Sequence, residues 1–326
     1  MLQPTSTRSS LADALVGWPP PVLDPAGPFS ERITTLSWAL LLMAVLVMVV
    51  VGFALAGALF GNAPLKKRLG GRWLIWGAGF AFPVVVLSGL LVWGLTLTSS
   101  LSSRPTGDEL RIQVTGEMWW WRVTYLDSEG RVIARDANEV HIPVGRPVLF
   151  ELTSNDVIHS FWVPQLAGKL DMVPGRINRL ILTADRPGSY GGQCAEYCGG
   201  PHALMGLVVV AHRPEDFEGE MERLHAPATA PVTPVALRGA EVFESSGCGA
   251  CHTVGGTAAN GLAGPDLTHV GGRRSLGAGI LPNNQGTLAG WIADSQTIKP
   301  GNRMPPYSVL SGEELMAVSA YLDGLE

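Results

Sequence analysis

Two cysteine clusters carry the chemistry this sequence can do. In Cys194-Ala-Glu-Tyr-Cys198-Gly-Gly-Pro-His202-Ala-Leu-Met205, two thiols, an imidazole and a thioether fall within one short segment. Soft sulfur with imidazole suits copper or zinc, and a thioether at weak axial distance favours copper. Two cysteines four apart, on a loop that folds back, can each bridge two metals. Each copper then needs one imidazole, so a second histidine is required. His159, in Asn155-Asp-Val-Ile-His-Ser-Phe-Trp162, stands ahead of a candidate strand and is the expected source. A structural Cys2His2 zinc site, or a disulfide with an incidental histidine, would draw on the same residues. His141, His212, His225 and His269 lack such neighbours and are expected at the surface.

The second cluster is Cys248-Gly-Ala-Cys251-His252. C-x-x-C-H is an attachment signature for c-type haem, whose vinyl groups take the two thiols while the histidine stands beside the iron. A thioredoxin-like C-x-x-C would need a βαβ pattern around it, and none is present. The sixth iron ligand is expected to be Met304, in the proline-stiffened Asn302-Arg-Met-Pro-Pro306. Met316 falls inside an amphipathic C-terminal segment and reads as core. Methionine ligation raises the iron potential relative to histidine, which suits a high-potential donor. Both cysteine pairs are too tight for a disulfide framework that closes long loops.

These residues need elements to position them. From Leu110 to Ala211 the pattern is short and alternating, with candidate strands Leu110–Thr115, Trp120–Tyr125, Pro147–Thr153, Asn178–Thr183 and Leu207–Ala211. Turn signals separate them at Asp127–Gly130, Val144–Pro147 and Arg186–Ser189. Many short strands so punctuated predict a sandwich or Greek-key barrel. Strand alternation would put Trp119 and Trp121 on one face and Trp120 on the other. Pro214–Leu224 reads as a short polar helix. Residues 226–235 are a Pro/Thr/Ala linker, extended and semi-rigid. Val235–Ser245 and Ser311–Leu325 read as helices, and Gly239 and Phe243 share a face suited to a helix crossing.

The chain has 326 residues, of which 46% are hydrophobic and 16% charged; globular chains average roughly 25% charged. This weighs against disorder and against a plain soluble enzyme. The net charge of −5 argues against a nucleic-acid partner. Residues 1–103 carry 6 Lys/Arg and 3 Asp/Glu, residues 104–225 carry 12 and 17, and residues 226–326 carry 5 and 8. An acidic outer portion can attract a basic protein.

Ile33 to Phe60 and Trp73 to Ser103 are free of charge. The first could reach ~42 Å as a helix, against a bilayer core of ~30 Å. A cleaved signal peptide is the other reading of the first run, with Ala54-Leu55-Ala56 imitating a cleavage site. The run is longer than a signal core, which favours an anchor. The loop Gly61–Arg72 holds Lys66, Lys67, Arg68 and Arg72 and no acid. Short basic loops stay in the cytoplasm, so both termini and everything after about Ser103 are expected outside.

Residues 33–220 resemble subunit II of the haem–copper cytochrome c oxidases. The resemblance rests on the helix hairpin, Met118-Trp-Trp-Trp121, His159-Ser-Phe-Trp-Val-Pro164, Lys169-Leu-Asp171, Pro174-Gly-Arg176 and the Cys194–Met205 loop. Residues 236–326 resemble a class I cytochrome c, with Gly264-Pro265, whose proline in that family helps hold the axial histidine. The resemblance implies a multidomain membrane protein: an external segment (1–32), a two-helix transmembrane hairpin (33–103), an all-β cupredoxin-like domain (104–225), the linker (226–235) and an all-α cytochrome c domain (236–326). It implies a dinuclear CuA centre with Cys194 and Cys198 bridging, His159 and His202 terminal, and Met205 and the Glu196 carbonyl as weak ligands. The Glu196 side chain would also reach a magnesium site shared with subunit I, and Trp119 matches the residue through which electrons enter CuA.

The implied function is that of the electron-input subunit of a respiratory oxidase in the plasma membrane. Electrons would pass from an external donor, such as cytochrome c, through haem c to CuA and on to subunit I, where oxygen is reduced with proton pumping. A CuA-containing nitric oxide reductase subunit, or an anchored carrier without a catalytic partner, are the other readings. One feature departs from the family, which often has a glutamate near the start of the second helix at the mouth of a proton channel. This chain has no acid between Phe60 and Ser103.

Overall fold

The computed structural model describes residues 20–101, 107 and 109–326. Most of the expected external segment 1–32, including Trp18 and Pro19, lies outside the described residues. Two compact units are present.

One unit, Glu31–Arg104, is helical. Helix α1 spans Pro28–Phe60, starting earlier than the uncharged run because Pro28 suits a first helical turn. The basic loop is partly ordered as α2, Ala63–Leu69, capped by the Asn62 side chain on the Leu65 amide. Then α3, Arg72–Trp76, passes through one π turn, Gly77–Ala81, into α4, Phe82–Leu101. Mean hydropathy reaches 3.0 in Pro28–Phe60 and 2.1 in Ala63–Ser99, and both helices are long and apolar enough to cross a membrane. Their large apolar side chains, such as Leu42, Met48, Phe53, Val85 and Leu91, stand exposed. A helix apolar all round needs an apolar medium about it.

The other unit begins with a sandwich of two five-stranded sheets. The strands are β1 Leu110–Glu117, β2 Trp120–Leu126, β3 Val132–Ala137, β4 Glu139–Pro143, β5 Val148–Ser154, β6 His159–Trp162, β7 Leu170–Met172, β8 Asn178–Leu182, β9 Gly188–Cys194 and β10 Gly206–His212. Sheet orders are β3-β2-β1-β5-β8 and β4-β10-β9-β6-β7. The pairs β1/β5 and β4/β10 are parallel and the rest antiparallel. Alternate residues on β1 and β2 (Ile112, Val114, Trp121, Val123, Tyr125) are buried between the sheets with Phe150, Leu152, Phe161 and Val209. Residues 24–30 are pinned to the sandwich: the Ala26 amide donates to the Gln165 carbonyl (2.7 Å) and Ser30 Oγ does so at 2.6 Å.

Helix α5, Pro214–His225, buries Phe217 and Leu224 and leads into the Ala226–Thr233 segment. That segment is held early on: the Ala228 amide donates to the Gly255 carbonyl (2.9 Å) and the Ala226 carbonyl lies 3.1 Å from His269 Nε2. The second domain is helical: α6 Pro234–Ser245, α7 Gln285–Ile298, kinked at Asp294, and α8 Gly312–Asp323. Asn284 with Thr287, and Ser311 with Glu314, form capping boxes that set where α7 and α8 start. At Gly239, α6 crosses α8 so closely that an added Cβ would collide with the Ala317 carbonyl. Phe243 and Tyr321 then pack edge-on, centroids 5.7 Å apart. Met316 is exposed, contrary to its expected place in the core. The stripe that α8 buries is Ala317, Val318, Tyr321 and Leu322.

Candidate metal and haem centres

The loop between β9 and β10 carries four donors, and β6 brings the fifth. Cys194 ends β9 and Met205 stands just before β10. The Cys194 amide donates to the Met205 carbonyl (2.9 Å), so the antiparallel ladder closes the loop on itself. His159 opens β6, which pairs with β9 through Phe161 and Cys194. The two Sγ atoms are 3.8 Å apart and unbonded, so the disulfide reading does not hold. His159 Nδ1 lies 3.8 Å from Cys194 Sγ and His202 Nδ1 lies 3.4 Å from Cys198 Sγ. Met205 Sδ is 3.8 Å from Cys198 Sγ, and Cys194 Sγ is 3.2 Å from the Glu196 carbonyl. His159, Cys194 and Cys198 are buried and can reach one ion together.

Asp156 completes this arrangement, and the sequence reading missed it although it stands three residues before His159. Its Oδ1 lies 2.9 Å from His159 Nε2, which fixes the ring and leaves Nδ1 toward the sulfur. Backbone amides of Val157 and Met118 donate to the same carboxylate (2.8 Å each). Burial opposes a charged His159, but bonds to Cys194 and Asp156 outweigh it and raise its pKa. The thiols are unequal. The hydrogen bond from Cys198, helped by His159, favours a Cys194 thiolate, and that thiolate then raises the Cys198 pKa. A thiolate with a second sulfur, two imidazoles and a thioether close about it fits a soft metal centre.

The expected weak ligand Glu196 is half-exposed, and its carboxylate takes Lys169 Nζ at 3.2 Å. Strand β2 begins at Trp120, so strand alternation does not reach Trp119. Instead Trp121 is fully buried, Trp120 lies under the Arg122 guanidinium (4.7 Å), and Trp119 Nε1 donates to the Cys198 carbonyl (2.8 Å).

At the second cluster, Cys248–Ala250 form a 3-10 turn, and both thiols are free. His252 Nδ1 lies 2.8 Å from the Pro265 carbonyl, which leaves Nε2 for a metal. Burial lowers the His252 pKa and so favours the neutral ring a metal needs. Gly264 lies against that ring, where a Cβ would stand 2.6 Å from His252 Cε1. The Met304 backbone is held at both ends: its amide donates to Asn302 Oδ1 (2.8 Å), and its carbonyl accepts from Ser295 Oγ (3.0 Å) and Gln296 Nε2 (2.8 Å). Met304, Cys248 and Tyr307 pack on one apolar cluster. Free thiols, an oriented imidazole and a cradle closed to any side chain fit a covalently held haem.

The remaining histidines correct the expectation of surface positions. His141 is buried, its amide donating to Tyr125 Oη (2.7 Å) and its Nδ1 lying 2.8 Å from half-buried His212 Nε2. Asp136, Glu139 and Glu220 surround it at 3.7, 3.5 and 3.4 Å. Arg273 and Arg274 of the helical domain reach this group: Arg273 Nε bonds Asp136 at 2.6 Å, and the Arg274 amide donates to Glu139 at 3.0 Å. His269 is buried with its ring nitrogens 3.1 Å from the Glu326 and Ala226 carbonyls. Only His225 is exposed. Lys299 is also buried, and its sequence neighbourhood carried no signal for that. Burial pushes its pKa down to about 7, with Cys198 opposing.

Comparison with known proteins places these domains. Residues 127–212 match the family model of the cytochrome c oxidase subunit II periplasmic domain, and residues 236–326 match that of cytochrome c. The two matches define a subunit II-type copper domain joined to a cytochrome c, and they imply a CuA copper and a haem c. Cytochrome c oxidase subunit 2 of Alkalihalophilus pseudofirmus is 36% identical over 319 residues, covering 93% of this chain and 90% of the relative. That of Bacillus subtilis is 30% identical, covering 82% and 78%. The chain belongs to the cytochrome c oxidase subunit 2 family. A solved periplasmic domain of cytochrome oxidase subunit II from Bradyrhizobium japonicum is 30% identical and aligns with TM-score 0.34 over 37% of this chain and 95% of that one.

Proposed function

We propose that the chain is the electron-input subunit of a terminal respiratory oxidase. Its haem c and CuA would supply one-electron relay chemistry between an external donor and subunit I, the site of oxygen reduction and proton pumping. Cys194 and Cys198 would bridge two coppers, His159 and His202 would cap one each, and Met205 and the Glu196 carbonyl would be weak ligands. Cys248 and Cys251 would hold the haem, with His252 and Met304 as axial ligands. Trp119, bonded to the Cys198 carbonyl, would be the point of electron input to copper. Magnesium at the Glu196 carboxylate would have to displace Lys169. The basic loop between the apolar helices supports an outer-side position for both domains.

The observation that carries this reading is the pairing of each imidazole Nδ1 with a different thiol, which offers two half-sites joined by a pair of sulfurs. The purified complex should hold two coppers per chain sharing one unpaired electron when oxidised, and Cys198→Ser should collapse that signal. A spectrum from one localised copper, or zinc in the site, sinks the assignment. Turnover of nitric oxide instead of oxygen, or purification without a large catalytic subunit, would replace the oxidase reading.

A further inference from the structure

The two centres belong to loops that touch. Lys299, at the end of α7, is 2% exposed. Its Nζ donates three hydrogen bonds: to the Trp119 carbonyl (2.7 Å), the Leu204 carbonyl (2.7 Å) and the Gly277 carbonyl (2.8 Å). Three donated bonds use every proton of an ammonium. The acceptors come from three segments. Trp119 precedes β2, Leu204 adjoins Met205 in the copper loop, and Gly277 belongs to the helical domain.

The surroundings repeat the contact. The Gly206 amide donates to the Ala278 carbonyl (3.0 Å). Residues 277–279 all have positive φ (66°, 68° and 85°), which turns that tip onto Gly206. Gly301, with φ +87°, lies beside the Trp119 ring and Pro201, where an added Cβ would be in ordinary van der Waals contact at 3.8–3.9 Å. The loop 299–304 thus presses on the copper loop at one end and carries Met304 at the other.

We propose that Lys299 is the positioning residue that locks the Met304 loop onto the Cys194–Met205 loop, so that electron transfer between the domains runs through a fixed dock rather than by encounters on a flexible tether. This rests on the electron-relay reading above. Lys299 bonds to no side chain of the candidate metal and haem ligands. It acts through the Trp119 and Leu204 carbonyls, each next to a part of the proposed route. A buried lysine with no carboxylate bonded to it is costly to hold, and the three carbonyls are what the dock supplies in return. Exposed contacts at the rim, such as Arg122 Nη2 on the Leu262 carbonyl (2.7 Å), lack this enclosure.

The test uses the full chain in its complex, with both centres loaded. In the wild type, flash-induced transfer from haem to copper should be independent of solvent viscosity. In Lys299→Met, both optical spectra should be unchanged, while the Gly206 amide exchanges hydrogen about tenfold faster or more. Transfer should slow about tenfold or more, since small misplacements of reacting groups are costly, and should become viscosity-dependent. Arg122→Ala should change neither readout. The proposal is overturned by viscosity-dependent transfer in the wild type, by unchanged Gly206 exchange or unchanged transfer in Lys299→Met, or by an Arg122→Ala loss as large. The wild-type measurement decides even if Lys299→Met does not fold. Absence of any haem-to-copper transfer in the wild type would instead remove the relay reading, leaving the exchange experiment to judge the dock alone.

Discussion

At the donor cluster His159 and His202 each face a thiol, whereas His141 and His212, in the same sandwich, face each other and a group of carboxylates. Both clusters gather two imidazoles with acidic groups away from water. They differ in where the balancing charge comes from. Asp136, Glu139 and Glu220 are answered from within the chain by Arg273, Arg274 and Arg223. Of the two thiols, Cys198 has Lys299 as a charged neighbour, and all the lysine's bonds go to carbonyls. One cluster is thus complete as polypeptide and welds two domains together, while the other is left short of positive charge and calls for metal. Histidine pairs alone do not distinguish these outcomes; soft sulfur against hard carboxylate does.

The sharpest way to break this contrast is to remove the chain's own cation. Arg273→Met leaves Asp136 buried beside His141 and should cost about 3–5 kcal/mol of stability. Denaturant titration should read that loss while copper content stays at the wild-type value. Loss of copper in proportion to stability would show that the clusters are not independent.

A smaller effect should come from pH, and its sign separates two residues in the carboxylate cluster. Burial, with Asp136 next, raises the Glu139 pKa from 4.5 to about 7, against bonds from Arg274. Burial lowers the His141 pKa from 6.5 to about 4, against Glu220 and Asp136, with His212 and Arg223 adding to the fall. Between pH 4.5 and 7 the folded Glu139 keeps a proton the unfolded chain has lost, so its contribution to stability falls as pH rises. Between pH 4 and 6.5 the folded His141 lacks a proton the unfolded chain holds, so its contribution rises with pH. The two oppose each other in the wild type. Glu139→Gln should leave the rising slope and His141→Gln the falling one, each up to about 1.4 kcal/mol per pH unit. Equal slopes in both variants would contradict the assignment.

The smallest stability effect separates two methionines. Met316→Ala, at an exposed site, should change stability by no more than about 0.5 kcal/mol and leave the haem potential alone. Met304→Ala should keep haem attached but lower its potential in a redox titration. A potential shift in the first variant only would reverse the ligand assignment.

How much of this was legible follows from where each feature's partners lie. The donor loop and C-x-x-C-H could be read because their residues sit close together in the chain. Five strands were found from alternation, but β3, β4, β6, β7 and β9 were not. Three of them have five residues or fewer, and β9 holds three glycines that erase its pattern. Helix α7 escaped for the lack of a clear apolar stripe. His141 and Lys299 failed for a deeper reason. Their burial depends on Tyr125, Glu139, Trp119 and Leu204, which are distant in sequence or unremarkable in type. A lone lysine after a helix reads as solvated until the fold supplies three carbonyls.

The crossing at Gly239 has a consequence for the order in which the protein is made. Helices α6 and α8 frame the second domain from either side of the Cys248–His252 motif, and their contact cannot form until α8 has left the ribosome. Contacts between distant segments must await the chain that joins them. Cys248 and Cys251 therefore emerge before the frame around them can close. A haem held by these thiols would be attached on an open segment, before the pocket closes around it.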